Sequence, residues 1–545
     1  MDTHWLDGLI PLIYLVAIVG VAWASSRRVK TLEDLFLAGR GLGFGVIGLS
    51  LFASNISSTT LIGLTGAAYT SGIAVANYEW MAAVVMVFAA MFLIPVYLRN
   101  RCRTVPEFLG LRYSLGIRRY VSVWMIGLSV LVDTAGSLFA GALVLQVLIP
   151  GLPLWPVVVG LGLFAGFYTL VGGLRAVMIT DALQAIILIV GSSVIAWMVF
   201  KQFDFSWAAA TKNLPDGHLS LVRPSTDPSM PWTGLLVGVP ILGLYYWSMN
   251  HYISQRFFAA KSEDHARWGA ILAAALKLLP LFIMVLPGAM ALSLYPSLSS
   301  GDQVFPTLVR ELLPTGLRGL VLAALLAAIM STIDSTINAA AALVHYDFMS
   351  PVPNQGASGG SESIQVANAA RANQANRPSA YPGHAGLPRA RLITLVFMII
   401  AIAWAPAIQG FPGLFAYLQQ MFAVAVPPFV VVYFLGLGWK RANISSAWWC
   451  LVVGHGLGLG FVVATQYNLW NLHFLETAGL TTALCLLVQL VVARVAGPEK
   501  AASENVVLWS RAMLPMTKSH GLLQDYRAQL FVLLTLTAVI VWFFF

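Results

Sequence analysis

The sequence predicts an all-α integral membrane protein. Hydrophobic residues make up 59% of the chain and charged residues only 10%, and the mean hydropathy is +0.80. Apolar runs of about 17–25 residues, each long enough to cross a bilayer, recur from one end of the chain to the other and give about 14 transmembrane helices. Because so little polar surface is available, the bilayer rather than water is the expected solvent of this protein.

Each predicted span is an apolar run bounded by polar or charged residues. The first run follows an acidic start without a basic region or a small-residue cleavage site, so we expect a retained helix and not a signal peptide. The run at 305–345 is longer than one span needs, so part of it should lie outside the membrane or be tilted. The predicted spans are 5–24, 43–70, 77–98, 120–148, 153–172, 177–200, 233–252, 268–293, 305–345, 391–409, 413–437, 445–466, 473–493 and 528–545.

The loops contain no predicted soluble domain. Residues 201–232 form a long outer loop, and residues 351–386 are polar, rich in Ala, Asn and Gly, and predicted to be disordered inside the cell. No stretch is long and mixed enough to form a kinase or nucleotide-binding domain, so an enzyme is not expected, and the absence of a GxxxxGK[ST] phosphate loop argues against an ATP-driven pump. Uphill transport would then have to draw on an ion gradient.

An ion gradient is sufficient for such work. One cation moving through about 100 mV releases about 2.3 kcal/mol, and a tenfold concentration gradient adds about 1.4 kcal/mol. Together these would support an accumulation of a neutral solute by roughly several hundredfold. A single ion per cycle is therefore enough for a useful importer.

The distribution of Lys and Arg predicts the orientation. If the N-terminus is outside, the inner loops hold all but six of the 31 basic residues, so both termini should face outward from a plasma membrane, in bacteria the inner membrane. A basic inner face beside anionic lipid accounts for the net charge of +9, and no nucleic-acid partner is needed. Cys102, Cys450 and Cys485 are too scattered for a disulfide framework or a metal site. The six exceptions are Lys201, Lys212, Arg223, Lys277, Arg310 and Arg318.

Two polar runs lie inside apolar segments. They are Ser50–Thr60 (SLFASNISSTT) and Ser331–Asn338 (STIDSTIN). Na⁺ is a hard cation that prefers several oxygen ligands, and an unwound helix exposes backbone carbonyls that can supply them. The first run alone is more typical of helix packing through small and hydroxylated residues. The second run changes this balance, because two polar spans can supply carbonyls from one and hydroxyls from the other.

Few charged residues fall at membrane depth. Each costs about 2.5–3.5 kcal/mol at the centre of a spanning helix, so each is a functional hypothesis by default, with a buried salt bridge or an interfacial position as the alternative. For Glu79 and Lys277 we favour the functional interpretation. For Asp133 and Asp181 a functional role and a structural role stay equally open. The full set is Glu79, Asp133, Asp181, Lys277 and Asp334.

These residues resemble the sodium/solute symporters, and most closely the branch that includes the sodium/glucose cotransporters. The likeness covers nearly the whole chain, and several segments occur in the family's order, which makes it more specific than a short motif. The segments are FLAGRGLGFGVIGLSLFASNIS (36–57), SGIAVANYEWMAA (71–83), GGLRAVMITDALQAIILIVGS (172–192), YYWSMNHYISQRFFAAKS (245–262), LKLLPLFIMVLPG (276–288), GLVLAALLAAIMSTIDSTINAAAALVHYDF (319–348) and AYLQQMFAVAVPPFVVVYFLGLGWKR (416–441).

The resemblance implies a leucine-transporter-like core, an inverted repeat of five plus five helices. Its halves would be 43–200 and 233–437. The remaining parts would be an N-terminal helix and inner loop at 1–42, the outer loop at 201–232 and three C-terminal helices at 438–545.

The resemblance also implies a sodium site. The family's ligands map to backbone carbonyls of the unwound first core helix and to a carbonyl and two hydroxyls of the eighth. Asp181 matches an acid that is thought to lie on the exit path of sodium. The implied ligands are Ala53, Ile56, Ala328, Ser331 and Thr332.

The implied solute site is less complete. Tyr246 matches an aromatic inner gate. Thr60, Ala82 and Gly243 stand where a galactose-transporting relative has glutamine, serine and asparagine, so hydrogen-bonding groups are lost and the pocket is larger. We therefore expect a sugar-like polyol or a glycoside instead of plain galactose. The implied solute-binding residues are Asn55, Thr60, Tyr78, Glu79, Lys277 and Gln419.

The expected function is Na⁺-coupled symport of a sugar or sugar-like polyol into the cell by alternating access. At least one Na⁺ and no organic cofactor are expected, and the oligomeric state stays open. One alternative keeps the family and changes the solute to an amino acid, a carboxylate or a sialic acid-like anion. Another is a membrane sensor that uses the transporter fold and signals through a partner.

Overall fold

The computed structural model has the predicted all-α architecture. It describes residues 5–27, 29–148, 151–349, 387–411, 414–497, 506–515, 521 and 524–544. Within these residues the regular structure is helical apart from two isolated bridges. By length and hydropathy, 11 of the described helices could cross a membrane, or up to 12 if a pair bent by 58° forms one span. The count of 14 remains a prediction.

The helices are labelled α1 to α19 in chain order, with short 3₁₀ turns left unlabelled. The first ten are α1 (Trp5–Ser26), α2 (Leu32–Leu37), α3 (Phe44–Asn55), α4 (Ser58–Ser71), α5 (Ile73–Arg99), α6 (Val105–Arg112), α7 (Leu115–Gln146), α8 (Leu154–Lys201), α9 (Trp207–Thr211) and α10 (Trp232–Leu244). The remaining nine are α11 (His251–Phe258), α12 (Glu263–Leu294), α13 (Val304–Leu312), α14 (Leu317–Met349), α15 (Leu387–Gly410), α16 (Leu414–Gly438), α17 (Ile444–Gln466), α18 (Phe474–Val495) and α19 (Tyr526–Phe543).

The long apolar run forms two helices, and one of the two long loops contains a short helix. The run predicted at 305–345 divides into the short helix α13 and the long helix α14, and the positive φ of Gly316 (+86°) precedes α14. The loop at 201–232 contains the short helix α9. The segment 351–386, predicted to be disordered, lies outside the described residues.

The centre of the molecule is formed by α3, α8, α12 and α14. Helix α14 packs along α8, and α3 packs against both α12 and α8. Runs of alanine on α14, including Ala327 and Ala328, are fully buried and allow close approach between these backbones. Gly173 bends α8 with a φ of +63°, a value that favours glycine, so the residues on either side of it run as two separate helical arms.

Several spans contain a π-helical turn, in which one extra residue interrupts the α-helical pattern. Two of these turns are Leu128–Thr134 in α7 and Tyr245–Met249 at the end of α10. Such turns often occur at functional sites because they free or redirect side chains within a helix. Both turns contribute residues to the central cavity described below.

The approach of α12 to α4 gives a test of the packing. A Cβ added at Gly288 would lie 2.3 Å from the backbone oxygen of Thr65, so the two helices would have to separate. We predict that Gly288→Ala destabilises the protein by about 1–3 kcal/mol, the usual cost of overpacking. Thermal unfolding in detergent measures this change.

The matched control for this prediction is Gly456→Ala. Gly456 is exposed on α17, and a Cβ there meets no atom within 4 Å. Because alanine favours helix over glycine, this substitution should leave the melting temperature unchanged or raise it slightly. Equal melting temperatures for both variants would contradict the close packing of α4 and α12.

Candidate functional site

The first polar run breaks a helix, as the sequence predicts. Helix α3 ends at Asn55, Ile56 has non-helical angles (φ −77°, ψ 76°), and α4 begins after Ser57. The Ser57 amide donates to the Asn55 carbonyl at 2.9 Å, and not to the carbonyl of Ala53 as in a continuous helix. Ser57 Oγ accepts from the Thr60 amide at 3.1 Å and so replaces the Ile56 carbonyl in that role. The carbonyls of Ala53 and Ile56 therefore lack their helical donors at this break.

The second polar run faces this break from α14. Ser54 Oγ lies 3.4 Å from Ser331 Oγ and 3.2 Å from Ser335 Oγ. One turn away, Thr332 Oγ1 donates to the Ala328 carbonyl at 3.1 Å. The structure thus brings the break and the hydroxyls of α14 together, so oxygens of both kinds are available to a hard cation.

A buried ion pair lies beside these hydroxyls. Arg256 Nη2 donates to Asp181 Oδ2 at 2.9 Å, and both side chains are almost fully buried. Ser331 Oγ donates to the other oxygen of Asp181 at 2.6 Å. Ser50 Oγ donates to Asp181 at 2.6 Å and accepts from Arg256 Nε at 2.8 Å. Arg256 also donates to Ser335 at 2.6 Å and, in a shorter contact, to Ser54.

The position of Arg256 corrects the sequence analysis, which counted it among the inner-loop charges. Every residue of α11 is buried, and Arg256 has no exposed surface. The charge count treats an arginine between two spans as solvated, whereas this short helix after the Tyr245–Met249 turn packs against α3 and α14. The sequence did contain a signal for a buried arginine: Asp181 lies at membrane depth, and a buried acid there needs a basic partner.

A polar cavity lies on the other side of the break. Lys277 reaches the site from α12, where its Nζ makes short contacts with Asn55 Oδ1 and Glu79 Oε2. Lys277 Nζ also lies 5.4 Å from the ring centroid of Trp247, a cation–π arrangement. The sequence-predicted residues that line the cavity are Asn55, Thr60, Tyr78, Glu79, Tyr246 and Gln419.

The cavity also has walls that the sequence analysis did not assign to a site. Tyr246 shares a short hydroxyl–hydroxyl hydrogen bond with Tyr252, and its ring packs edge-on against Phe422. The cavity is also lined by Trp247, Tyr252, Phe422 and Asp133. Aromatic residues are common in any membrane span, so their spacing alone gave no signal that separates a cavity wall from ordinary packing.

The fold and the paired polar regions together describe the architecture of an ion-coupled membrane transporter. The model of the sodium:solute symporter family matches residues 35–369 and 385–454. The chain belongs to this family.

Similar proteins agree with this assignment. The sodium/glucose cotransporter of Vibrio parahaemolyticus is 30% identical over 518 residues, which cover 89% of this chain and 89% of that protein. Human sodium/myo-inositol cotransporter 2 is 33% identical over 492 residues, covering 83% and 69% of the two chains. The solved structure of a Na⁺-coupled sialic acid symporter, in a substrate-bound outward-open state, aligns with a TM-score of 0.76 at 21% identity over 92% of this chain and all of that chain. The fold is therefore leucine-transporter-like.

The buried ion pair gives a second prediction. Arg256→Gln removes the cation and leaves the Asp181 carboxylate buried without its charged partner, so we expect a loss of about 3–5 kcal/mol of stability. Adding Asp181→Asn to Arg256→Gln should recover part of this loss, because no unpaired charge then remains. Thermal unfolding of the two single variants and the double variant gives the coupling energy.

The control is Arg527→Gln, which breaks a solvent-exposed pair with Asp525 at 2.6 Å. Exposed pairs contribute little because water screens them, so this variant should melt like the wild type. Additive losses in the Arg256 and Asp181 variants would show that the two charges do not depend on each other.

Proposed function

We propose that this protein is a secondary active transporter that carries a sugar or sugar-like polyol into the cell together with Na⁺, by alternating access. The observation that carries the proposal is the helix break at Ile56, which has hydroxyls of α14 on one side and a polar cavity on the other. The relatives named for glucose and myo-inositol support the solute class.

On the ion side, the proposed ligands are the carbonyls of Ala53, Ile56 and Ala328 and the hydroxyls of Ser331 and Thr332. The carbonyls at the break lack helical donors, and a hard monovalent cation prefers a set of neutral oxygens of this kind. Asp181 lies next to Ser331 and would attract the ion as it leaves this set. This set accounts for at least one Na⁺ per cycle.

On the solute side, the proposed binding residues are the polar side chains around the cavity, with Tyr246 as the inner gate. Carboxylate, amide and hydroxyl groups recognise the many hydroxyls of a sugar by hydrogen bonds, and buried groups of this kind discriminate strongly because an unpaired partner costs about 1–3 kcal/mol. The residues are Asn55, Thr60, Tyr78, Glu79, Lys277 and Gln419.

The charges around the cavity argue against an anionic solute. Lys277 is the cation that a carboxylate would need, and it already pairs with Glu79. Asp133 adds a second acidic group to the cavity lining. A carboxylate or sialic acid-like solute would therefore enter a site with no free positive charge among its described lining residues.

The topology is part of the proposal. The halves of the inverted repeat would be 43–200 and 233–437, with both termini outside a plasma membrane, in bacteria the inner membrane. The excess of Lys and Arg in alternate loops supports this orientation, although four residues of that count are buried, namely Arg112, Arg118, Arg256 and Arg267.

A thermal-shift screen of sugars, polyols and amino acids, each with Na⁺ and with K⁺ at equal ionic strength, tests the proposal. Coupling between ion and solute is reciprocal, so a transported sugar or polyol should stabilise the purified protein more in Na⁺ than in K⁺. Stabilisation by amino acids alone, with no shift from any sugar or polyol, would contradict the proposed solute class.

The ion site has its own prediction. The double substitution Ser331→Ala and Thr332→Ala removes two hydroxyl ligands and should raise the Na⁺ concentration for half-maximal uptake by about tenfold, which corresponds to about 1.4 kcal/mol. Uptake into vesicles at varied Na⁺ measures this change.

The matched control is Thr537→Ala in α19. The Thr537 hydroxyl is also buried and donates at 2.9 Å to the carbonyl four residues earlier, as Thr332 does. This variant should keep the wild-type Na⁺ dependence. If the double variant did the same, the assigned ion site would be wrong.

A further inference from the structure

Asp133 is a buried acid in the central cavity. It lies in the π-helical turn Leu128–Thr134 of α7, lines the cavity and is only 7% exposed. Its Oδ2 atom is fully buried, and within the described residues it has neither a hydrogen-bond donor nor a cation within ion-pair distance. A carboxylate held out of water without a partner is costly, so this arrangement calls for a donor that arrives with a ligand.

The other acids of the site are already compensated. Glu79 pairs with Lys277, and Asp181 pairs with Arg256. Each of these pairs is electrically neutral when both groups are charged. Asp133 is therefore the acid in the described lining of the cavity that has neither a cation nor a hydrogen-bond donor at its buried oxygen.

The walls around this acid suit a cation. Tyr246, Trp247 and Tyr252 line the same cavity, and the faces of such rings attract ammonium groups. Gly243 also lines the cavity, but a Cβ added there would lie only 3.2 Å from Val85 Cγ2, so this position opens no extra space. A solute with a positive group directed at Asp133 fits the acid and the aromatic rings.

A sodium ion fits this position less well. Na⁺ requires several oxygen ligands, and among the described residues no hydroxyl hydrogen-bonds to the buried Oδ2 of Asp133. The oxygen-rich position lies instead at the break, between Ser54 and the hydroxyls of α14. An ammonium group carries its own hydrogen-bond donors and needs only one carboxylate and aromatic faces.

We propose that Asp133 binds a protonated amino group of the solute, so that the preferred solutes are amino sugars or amino-substituted polyols. This inference rests on the proposed function, because it specifies the solute of the same cavity. Asp133 would form the ion pair, while the polar groups around Glu79 and Lys277 would bind the hydroxyls.

The wild-type protein can test this without any substitution. Glucose, glucosamine and N-acetylglucosamine share a ring, but only glucosamine carries a protonated amine, provided that the pH is kept acidic enough for the amine to be charged. We expect glucosamine to bind at least about tenfold more tightly than the other two in the presence of Na⁺. The same comparison between myo-inositol and an amino-substituted inositol extends the test to polyols.

The variant Asp133→Asn keeps the size of the side chain and removes its charge. It should abolish the preference for the amine while Na⁺ still enhances the binding of the neutral solutes. The matched control is Asp216→Asn, which removes an exposed acid from the outer loop and should keep the wild-type preference.

The outcomes separate this inference from the proposed function. Equal binding of glucose and glucosamine by the wild type, or an unchanged preference in Asp133→Asn, would overturn the inference and leave sugar symport standing. A change in Na⁺ requirement alone in Asp133→Asn would also overturn it, because Asp133 would then serve the ion. If no sugar or polyol, charged or neutral, bound in a Na⁺-dependent way, the proposed function itself would fail.

Discussion

The ion pair between Asp181 and Arg256 is the interaction on which the arrangement of the core depends. Asp181 lies on α8 and Arg256 on α11, and both bind hydroxyls of α3 and α14. Four helices are therefore joined by one buried pair and by serines that satisfy its remaining hydrogen bonds. Because a buried charge without its partner costs several kcal/mol, any movement of these helices has to keep the pair together or bring another cation to Asp181.

The fold could be predicted from the sequence because the bilayer imposes strong rules. A backbone group without a partner is costly inside a membrane, so runs of about 20 apolar residues are expected to form helices, which satisfy these groups within one segment. The run at 305–345 divided into two helices where Pro314 and Gly316, with its φ of +86°, interrupt it. Hydropathy could not predict the π-helical turns, because they depend on packing between helices and leave no mark in composition.

The site could be predicted in part. The break at Ile56 and the hydroxyls around Ser331 could be predicted, because polar residues at membrane depth are costly and so indicate a function. Arg256 was not, since the rule for basic loops counts residues by their place between spans and cannot detect a short helix that turns inward. The isolation of Asp133 was also hidden: the sequence shows that an acid is present, but only the structure shows that its neighbours leave it unpaired.

The break in the first core helix offers a physical link between ion and solute. Ser54 bonds to the Asp181–Arg256 pair, and the next residue, Asn55, contacts Lys277 of the second pair. Two ion pairs thus hold the last two residues of α3, directly before the break. If Na⁺ binds to the carbonyls of the segment around this break, it fixes the backbone that also positions Asn55 for the solute. Each ligand would then lower the cost of ordering the segment for the other, which is the reciprocal coupling that a symporter requires.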